Sequence, residues 1–244
     1  MMFAPIEKLK KKLLSIEKKT EQNALLQKDA AALQQLYHLF HTNTFIPLTS
    51  WSISPREVLH ICNDICIHNR KSIVEFGAGF STLCIAALLK QRGEKTTFYS
   101  IENSEVWIQQ LTQQLQQLGL LDYVTFIYAP ITTVPDEISL NEQNKWYDTH
   151  ILTPILLEQL EYVDLIIVDG PFGGTTPYAR YSALPFLYEK LASSYAVFLD
   201  DTTRAEEKHI LNTWHEKLSG KLIRKDRYAL LTDTFDFDTS PYGN

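Results

Sequence analysis

Residues 72–82 read Ser-Ile-Val-Glu-Phe-Gly-Ala-Gly-Phe-Ser-Thr, a short β-rich run that ends in two glycines. Ser72 to Phe76 favours a buried strand. Gly77 and Gly79 allow a tight turn and a close approach of the backbone to a ligand. A helical pattern over residues 81–92 completes the strand, turn and helix, an order that is typical of a ligand-binding loop.

The alternation of strands and helices continues along the chain. Further strands are predicted at 96–101, 124–128, 165–168 and 196–199, and helices at 56–69, 105–118, 178–192 and 206–218. Residues 221–225 and 228–231 then form a hairpin around Asp226-Arg227. This order predicts a Rossmann-like, doubly wound sheet of seven mostly parallel strands with a C-terminal antiparallel hairpin.

The first forty or so residues differ from the rest, because they are rich in Lys, Glu, Gln, Ala and Leu and lack glycine. Apolar residues recur there at helical spacing, at Ile6, Leu9, Leu13 and Ile16. The pattern breaks at Thr20 and Asn23, which predicts a kink or a second helix. We therefore predict an N-terminal helical extension over residues 1–41 and one α/β domain over residues 42–244. The extension is a solvated helical face or, alternatively, the interface of a homodimer.

The composition excludes several classes of protein. With 244 residues, 45% of them hydrophobic and 11% aromatic, the chain can bury a sizeable core and is not disordered. A net charge of −6 argues against nucleic acid or an anionic membrane as a partner. No apolar run is long enough for a membrane span, and three cysteines form no disulfide framework. These features predict a soluble, cytoplasmic protein.

Acidic residues stand where the predicted strands end. Glu102 ends the second strand, Asp169 ends the fourth, and Asp200-Asp201 ends the fifth. Doubly wound sheets bind ligands at these carboxyl ends, where the strand order reverses. A carboxylate such as Glu102 can accept hydrogen bonds from both hydroxyls of a ribose. The other three carboxylates would converge, so they require a cation, an arginine or a proton to neutralise them.

One interpretation of the glycine turn is a dinucleotide site in an NAD-dependent oxidoreductase. Against it, Thr82 replaces the third glycine of the dinucleotide fingerprint, and Glu75 would place a negative charge near two phosphates. A ligand that carries a positive charge at that place fits better. A further alternative is a catalytically silent module that binds a partner through residues 1–41.

In this order, the residues resemble the motifs of class I S-adenosylmethionine-dependent methyltransferases. Glu75-x-Gly77-x-Gly79 resembles their first motif, Glu102 their ribose-binding acid, and Asp169-Gly170-Pro171 the motif after their fourth strand. The terminal hairpin resembles their sixth and seventh strands, so that the resemblance covers about residues 50–235.

The resemblance implies a methyltransferase with S-adenosylmethionine as cofactor, which methylates an oxygen of a small-molecule or sugar-like acceptor. It implies that Gly77 and Gly79 lie against the methionine part, that Glu102 holds the ribose and that Asp169 lies near the transferred methyl. The implied cofactor-binding set is Glu75, Gly77, Gly79, Ser81, Glu102, Asn103, Asp169, Gly170 and Pro171. Tyr128-Ala129-Pro130 lacks the acid that many relatives place near adenine, so the adenine contact stays unassigned.

Methylation of a hydroxyl requires a group that takes its proton. One aspartate after the fourth strand and an acidic pair after the fifth are similar to metal-dependent O-methyltransferases. The resemblance thus implies Asp169, Asp200 and Asp201 as catalytic residues and as ligands of a divalent metal such as Mg²⁺. The alternative is that Arg180 and Arg204 neutralise these acids and bind an anionic acceptor.

Two further regions are candidates for the walls of the site. Residues 132–160 form a long insertion before the fourth strand, and loops of this length are often functional. Acceptor contacts are therefore expected among Trp146, Tyr147, Asp148 and His150. Trp51, ahead of the first core helix, either closes over the cofactor or packs on the core.

Overall fold

The structure, a computed structural model, describes residues 3–40, 45–234 and 236–242. Its helices are α1 (Phe3–Tyr37), α2 (Pro55–Ile67), α3 (Phe80–Arg92), α4 (Glu105–Leu118), α5 (Thr149–Leu152), α6 (Ala183–Leu187) and α7 (Ala205–Lys217). Its strands are β1 (Ser72–Phe76), β2 (Thr97–Glu102), β3 (Thr125–Tyr128), β4 (Ile131–Thr133), β5 (Lys145–Tyr147), β6 (Val163–Val168), β7 (Leu191–Leu199), β8 (Lys221–Arg224) and β9 (Ala229–Thr232). A π-helical segment follows α5, and short 3₁₀ turns lie at Leu121–Tyr123, Asp136–Ile138 and Tyr188–Lys190.

The main sheet has seven strands in the order β3-β2-β1-β6-β7-β9-β8. The five strands from β3 to β7 pair in parallel, and the hairpin of β8 and β9 adds two antiparallel strands at the edge. The strand order reverses between β1 and β6. This is the Rossmann-like, doubly wound sheet with a C-terminal antiparallel hairpin, so the predicted fold class is confirmed.

The sheet is covered on both faces. The residues of β1 and β6 are buried throughout, as expected for continuous apolar runs at the centre of a parallel sheet. One face packs on α2, α3, α4 and the C-terminal part of α1, and the other packs on the helices α5, α6 and α7. The two packed layers fix the ends of β1 and β6 side by side.

The N-terminal extension is one continuous helix. The predicted break is wrong, because Thr20 and Asn23 lie within α1. The hydroxyl of Thr20 donates to the carbonyl oxygen of Ile16 at 3.0 Å, so the side chain is satisfied without a break in the helix. In its C-terminal part, α1 buries Ala32 and Leu36 against the core.

Some sequence-based predictions about the extension lie outside the described residues. These are the side chains of Ile6 and Leu9 and the domain boundary between residues 41 and 42. Homodimerisation through α1 stays a prediction. Among the described residues, no helix combines the length and the apolar character that a membrane span requires.

The helix predicted over residues 178–192 is mostly wrong. Residues 177–182 form turns, α6 has only five residues, and β7 begins at Leu191 rather than at Ala196. Pro185 lacks the N–H that a longer helix would direct at the carbonyl of Tyr181. That carbonyl accepts instead from the indole nitrogen of Trp214, at 3.1 Å.

The insertion between β3 and β6 has its own structure. β4 and β5 pair as an antiparallel ribbon, and α5 with the π-helical segment leads the chain back to the sheet. Trp146 and Tyr147, at the end of β5, are almost fully buried beside Phe76 of β1. The insertion therefore packs on the sheet beside the end of β1.

Candidate active site

The turn after β1 brings two strand ends into contact. Gly77 has φ +94°, a conformation that glycine adopts readily and other residues adopt rarely. A β-carbon at Gly77 would lie 2.8 Å from the amide nitrogen of Gly170, in the loop after β6. A β-carbon at Gly79 would have no neighbour within 4 Å. The close packing of the two loops therefore requires glycine at position 77, whereas the space beside Gly79 is open.

A cleft of about 720 Å³ opens at this turn, where the strand order reverses. Most residues predicted for the site line it, namely Gly77, Gly79, Ser81, Glu102, Asn103, Asp169, Gly170, Pro171, Arg180, Asp201 and Arg204. Two do not: Glu75 and Asp200 are fully buried behind its wall. The structure thus brings the predicted set together at one place.

Glu75 lies beneath the glycine turn. Its carboxylate accepts hydrogen bonds from the hydroxyls of Ser81 at 2.5 Å, Thr82 at 2.5 Å and Ser100 at 2.6 Å. Burial raises the pKa of Glu75 to about 7, although these three donors oppose the rise. The hydroxyl of Thr82 also accepts from the N–H of Gly79 at 2.8 Å. Glu75 therefore fixes the turn through its hydrogen bonds with Ser81 and Thr82.

Glu102 lies at the end of β2 and faces the cleft. Its Oε1 accepts hydrogen bonds from the N–H groups of Asn103 and Ser104, both at 2.7 Å. Its Oε2 accepts from the N–H of Ala78, in the glycine turn, at 3.3 Å. Burial raises the pKa of Glu102, and the three backbone donors partly offset this effect. The carboxylate is thus held in one orientation beside the turn.

Arg180 holds the acidic cluster together. Oxygens of Asp169, Asp200 and Asp201 lie within 4.8 Å of one another at the ends of β6 and β7. The Nη2 nitrogen of Arg180 lies 3.0 Å from Asp169 and 3.1 Å from Asp201. Its Nη1 donates to the backbone carbonyl of Asp200 at 3.1 Å. Burial raises the pKa of Asp169 well above its ordinary value, against the opposing charge of Arg180.

Two more arginines complete the cluster. Arg204 lies 2.9 Å from Asp201 and is half exposed to the cleft. Arg227 lies 2.8 Å from Asp200 and 3.3 Å from Asp201. Arg227 was not among the residues predicted for the site. The hairpin signal around Asp226-Arg227 could have found it, because an antiparallel hairpin beside β7 places its turn at the carboxyl end of β7.

The predicted divalent metal does not fit these residues. Guanidinium nitrogens already lie 2.8–3.1 Å from oxygens of Asp169, Asp200 and Asp201. A cation among the three carboxylates would face the positive charge of Arg180 at close range. The alternative prediction, neutralisation by Arg180 and Arg204, agrees with the contacts observed.

A family model described as a methyltransferase domain matches residues 74–202, more than half of the chain. The chain belongs to the methyltransferase domain family. The predicted resemblance to class I methyltransferases is confirmed, and neither the NAD-dependent nor the catalytically silent alternative is favoured. The sequence has no significant match among curated proteins.

Solved methyltransferases share the fold. An O-methyltransferase from Bacillus cereus, solved with S-adenosylhomocysteine, is 14% identical, with a TM-score of 0.55 over 84% of this chain and 90% of that one. TomG, an O-methyltransferase from Streptomyces achromogenes solved with S-adenosylmethionine, is 13% identical, with a TM-score of 0.56 over 84% and 88%. A Podospora anserina methyltransferase bound to S-adenosylhomocysteine is 14% identical, with a TM-score of 0.56 over 87% and 94%.

The methyltransferase also buries an acid that was not among the residues predicted for the site. Glu57 is fully buried in α2, and neither of its carboxyl oxygens has a hydrogen-bond partner among the described residues. Burial raises the pKa of Glu57 well above its ordinary value, and the nearby charges of Asp200 and Asp169 add to the rise. A protonated Glu57 adds no negative charge behind the cluster. No motif marks Glu57, because its role depends on the packing of α2.

Aromatic side chains form much of the wall of the cleft. Trp51 and Phe172 contact each other with ring centroids 5.3 Å apart, and both rings are largely exposed. Trp107 donates its indole N–H to the carbonyl of Ala78 at 2.8 Å. Tyr147 lines the cleft from the insertion, whereas Asp148 caps α5 and His150 lies at the surface. Of the four insertion residues predicted to contact the acceptor, Tyr147 alone lines the cleft.

Proposed function

We propose that this methyltransferase transfers the methyl group of S-adenosylmethionine to an oxygen of a small-molecule acceptor. The observation that carries the proposal is the placement of Glu102 and Asp169 in one cleft, with the turn of Gly77 and Gly79 between them. Family membership supports the methyl transfer, and the cofactors of the solved relatives support the choice of nucleoside.

The chain's own groups suit a nucleoside that carries a cationic sulfur. Glu102 offers its carboxylate to the two ribose hydroxyls, since its orientation is fixed by three backbone donors. The bare backbone of Gly79 allows the methionine part to lie against the turn. Asp169 lines this end of the cleft, and its carboxylate can accept a hydrogen bond from the ammonium group of the methionine part, while the arginines balance the charge of the cluster.

The acceptor enters, in this proposal, beside the exposed rings of Trp51 and Phe172. Aromatic faces of this kind pack well on flat or ring-shaped molecules, including the apolar faces of sugars. The half-exposed guanidinium of Arg204 lines the same cleft and favours an acceptor with an anionic or hydroxyl substituent. These features agree with a small or sugar-like acceptor.

Methyl transfer from S-adenosylmethionine is an in-line displacement in which the acceptor oxygen takes the methyl group and the sulfur keeps the electron pair of the broken bond. The acceptor hydroxyl must also lose its proton. Asp169 is the candidate proton acceptor, because it lines the cleft and its pKa is raised by burial. Asp200 is fully buried and paired with Arg227, so it supports the cluster rather than contacting the acceptor.

Calorimetric titration tests the proposal. The full chain should bind S-adenosylhomocysteine with one site per chain and should not bind NAD⁺ at comparable concentrations. Binding of NAD⁺ without binding of S-adenosylhomocysteine would overturn it. A screen of phenolic, sugar and carboxylic acid acceptors with labelled S-adenosylmethionine then identifies the acceptor, and methylation of nitrogen rather than oxygen would refute the O-methyl part alone.

A further inference from the structure

Tyr147 is a buried residue whose polar atom has no partner. Its side chain is 1% exposed, and among the described residues its hydroxyl has no hydrogen-bond partner. A buried hydroxyl without a partner loses its hydrogen bonds to water and gains none in return. The residue nevertheless lines the cleft, and its hydroxyl lies beside the backbones of Gly77 and Gly170, which line the cleft too.

The ring of Tyr147 is held firmly. Its centroid lies 5.9 Å from that of Phe76 and 5.6 Å from that of Trp146, so β1 and the insertion both support it. A phenylalanine would make the same ring contacts. Packing therefore explains the ring but leaves the hydroxyl unexplained.

The hydroxyl lies over the glycine turn. A β-carbon at Gly170 would collide with the hydroxyl oxygen of Tyr147, and the same β-carbon would come within 2.9 Å of the Gly77 backbone. The hydroxyl thus lies at the point where the loops after β1 and β6 cross. Glu102 and Asp169 line the same cleft, so this point belongs to the region assigned above to the methionine part.

The glycine turn has no spare donor for a ligand. The N–H of Gly77 donates to Ile101, that of Ala78 donates to Glu102, and that of Gly79 donates to Thr82. At the facing loop, the N–H groups of Asp169 and Gly170 both donate to Phe76. A carboxylate that binds over the turn therefore needs a donor other than these five N–H groups.

Tyr147 can act only as a protonated group in this place. Burial raises the pKa of its hydroxyl well above the ordinary value, and the charges of Glu102, Asp169 and Glu75 add to the rise while Arg180 opposes it. The hydroxyl keeps its proton at every physiological pH and remains available as a donor.

We propose that the hydroxyl of Tyr147 donates a hydrogen bond to the carboxylate at the methionine end of the bound nucleoside. The assignment rests on the proposed function, since it names a further residue of the same site. At that end of the cleft, Asp169 would then accept a hydrogen bond from the ammonium group, and Tyr147 would donate one to the carboxylate.

The test compares two ligands on two variants by calorimetry. Tyr147→Phe should weaken S-adenosylhomocysteine about tenfold or more, because the lost hydrogen bond is made to a charged group. It should change the affinity for 5′-methylthioadenosine, which lacks the amino-acid part, less than twofold. The matched control is Tyr181→Phe, whose buried hydroxyl interacts with Lys217 away from the cleft and whose loss should change neither affinity.

A second measurement needs no variant. Decarboxylated S-adenosylhomocysteine should bind the wild-type protein about tenfold or more weakly than the parent compound. The ligand-free melting temperature of Tyr147→Phe should equal or exceed that of the wild type, since the variant removes an unsatisfied buried group. Unchanged affinity of Tyr147→Phe for S-adenosylhomocysteine, or equal losses for both ligands, would overturn the assignment. Failure of the wild type to bind S-adenosylhomocysteine would instead refute the proposed function.

Discussion

Gly77 passes so close to Gly170 that a β-carbon on the first would lie 2.8 Å from the amide nitrogen of the second. The same position has φ +94°, where side chains are strained. We therefore expect Gly77→Ala to lower the free energy of unfolding by about 1–3 kcal/mol, the range for such backbone strain. Chemical denaturation of the ligand-free protein measures this loss.

Gly79 provides the matched substitution two residues away. A β-carbon there meets nothing within 4 Å, so Gly79→Ala should leave the free energy of unfolding nearly unchanged. If the ligand lies against this backbone, the variant should nevertheless weaken S-adenosylhomocysteine at least tenfold in calorimetry. Equal affinities of Gly79→Ala and the wild type would show that the ligand does not lie against the backbone of Gly79.

Glu102 should contribute directly to binding of the nucleoside. Glu102→Gln keeps the shape and one acceptor oxygen but removes the charge that strengthens hydrogen bonds to ribose hydroxyls. We expect the affinity for S-adenosylhomocysteine to fall about tenfold or more, because a hydrogen bond weakened by about 1.4 kcal/mol lowers affinity tenfold. The control is Glu142→Gln at an exposed position, which should bind like the wild type. The ribose assignment fails if both variants titrate identically.

Glu75 should make stability depend on pH. Its pKa is about 7 in the folded protein against an ordinary 4.5, so the folded state holds this proton more tightly than the unfolded chain. Its contribution to the free energy of unfolding is fully present below pH 4.5 and is lost as the pH rises to about 7. At 1.36 kcal/mol per pKa unit, this loss is about 3 kcal/mol.

The variant Glu75→Gln cannot titrate and should lack that loss. Urea denaturation at pH 5 and at pH 7.5 should show a larger decrease for the wild type than for the variant. The comparison uses the difference between the two pH values, because the variant also changes hydrogen bonds with Ser81, Thr82 and Ser100 at both. Identical decreases would show that Glu75 does not titrate in this range.

Asp169 should control turnover through its charge. A proton acceptor must be ionised, so the rate should rise as the pH increases through the raised pKa of Asp169. Asp169→Asn should lower kcat by about 10²–10⁴-fold, the usual contribution of general base catalysis. Methyl transfer to an acceptor found in the screen measures both effects. The exposed Asp136→Asn serves as control, and a variant Asp169→Asn with an unaltered pH profile would exclude Asp169 as the base.

Arg180, rather than a metal ion, should be the counter-ion of the acidic cluster. A chelator should then leave the wild-type melting temperature and affinity for S-adenosylhomocysteine unchanged. Arg180→Met leaves Asp169 and Asp201 without their shared partner, and breaking a buried pair in this way costs about 3–5 kcal/mol of stability. Added Mg²⁺ should raise the melting temperature of Arg180→Met but not that of the wild type. Magnesium stabilisation of the wild type would show that the arginines do not exclude a metal.

Local patterns were sufficient for much of the fold. Each strand of the main sheet follows from a short apolar or β-branched run, and Gly77 follows from the need for a turn at the end of β1. Two errors came from contacts between distant segments. The start of β7 at Leu191 depends on pairing with Val163 of β6, and the carbonyl of Tyr181 is satisfied by Trp214 rather than by a helix.

The sequence by itself determined which acids stand at or near the strand ends. Glu75, Glu102, Asp169 and Asp201 each lie at the end of a short apolar run, and such runs predict the strands. Only the tertiary structure decided what each one does. Glu75 turns beneath the loop because Ser81, Thr82 and Ser100 surround it, and the aspartates bind arginines because the hairpin turn brings Arg227 to them. The hydroxyl of Tyr147 and the carboxyl of Glu57 were invisible in the sequence, since burial without a partner depends on segments far apart in the chain.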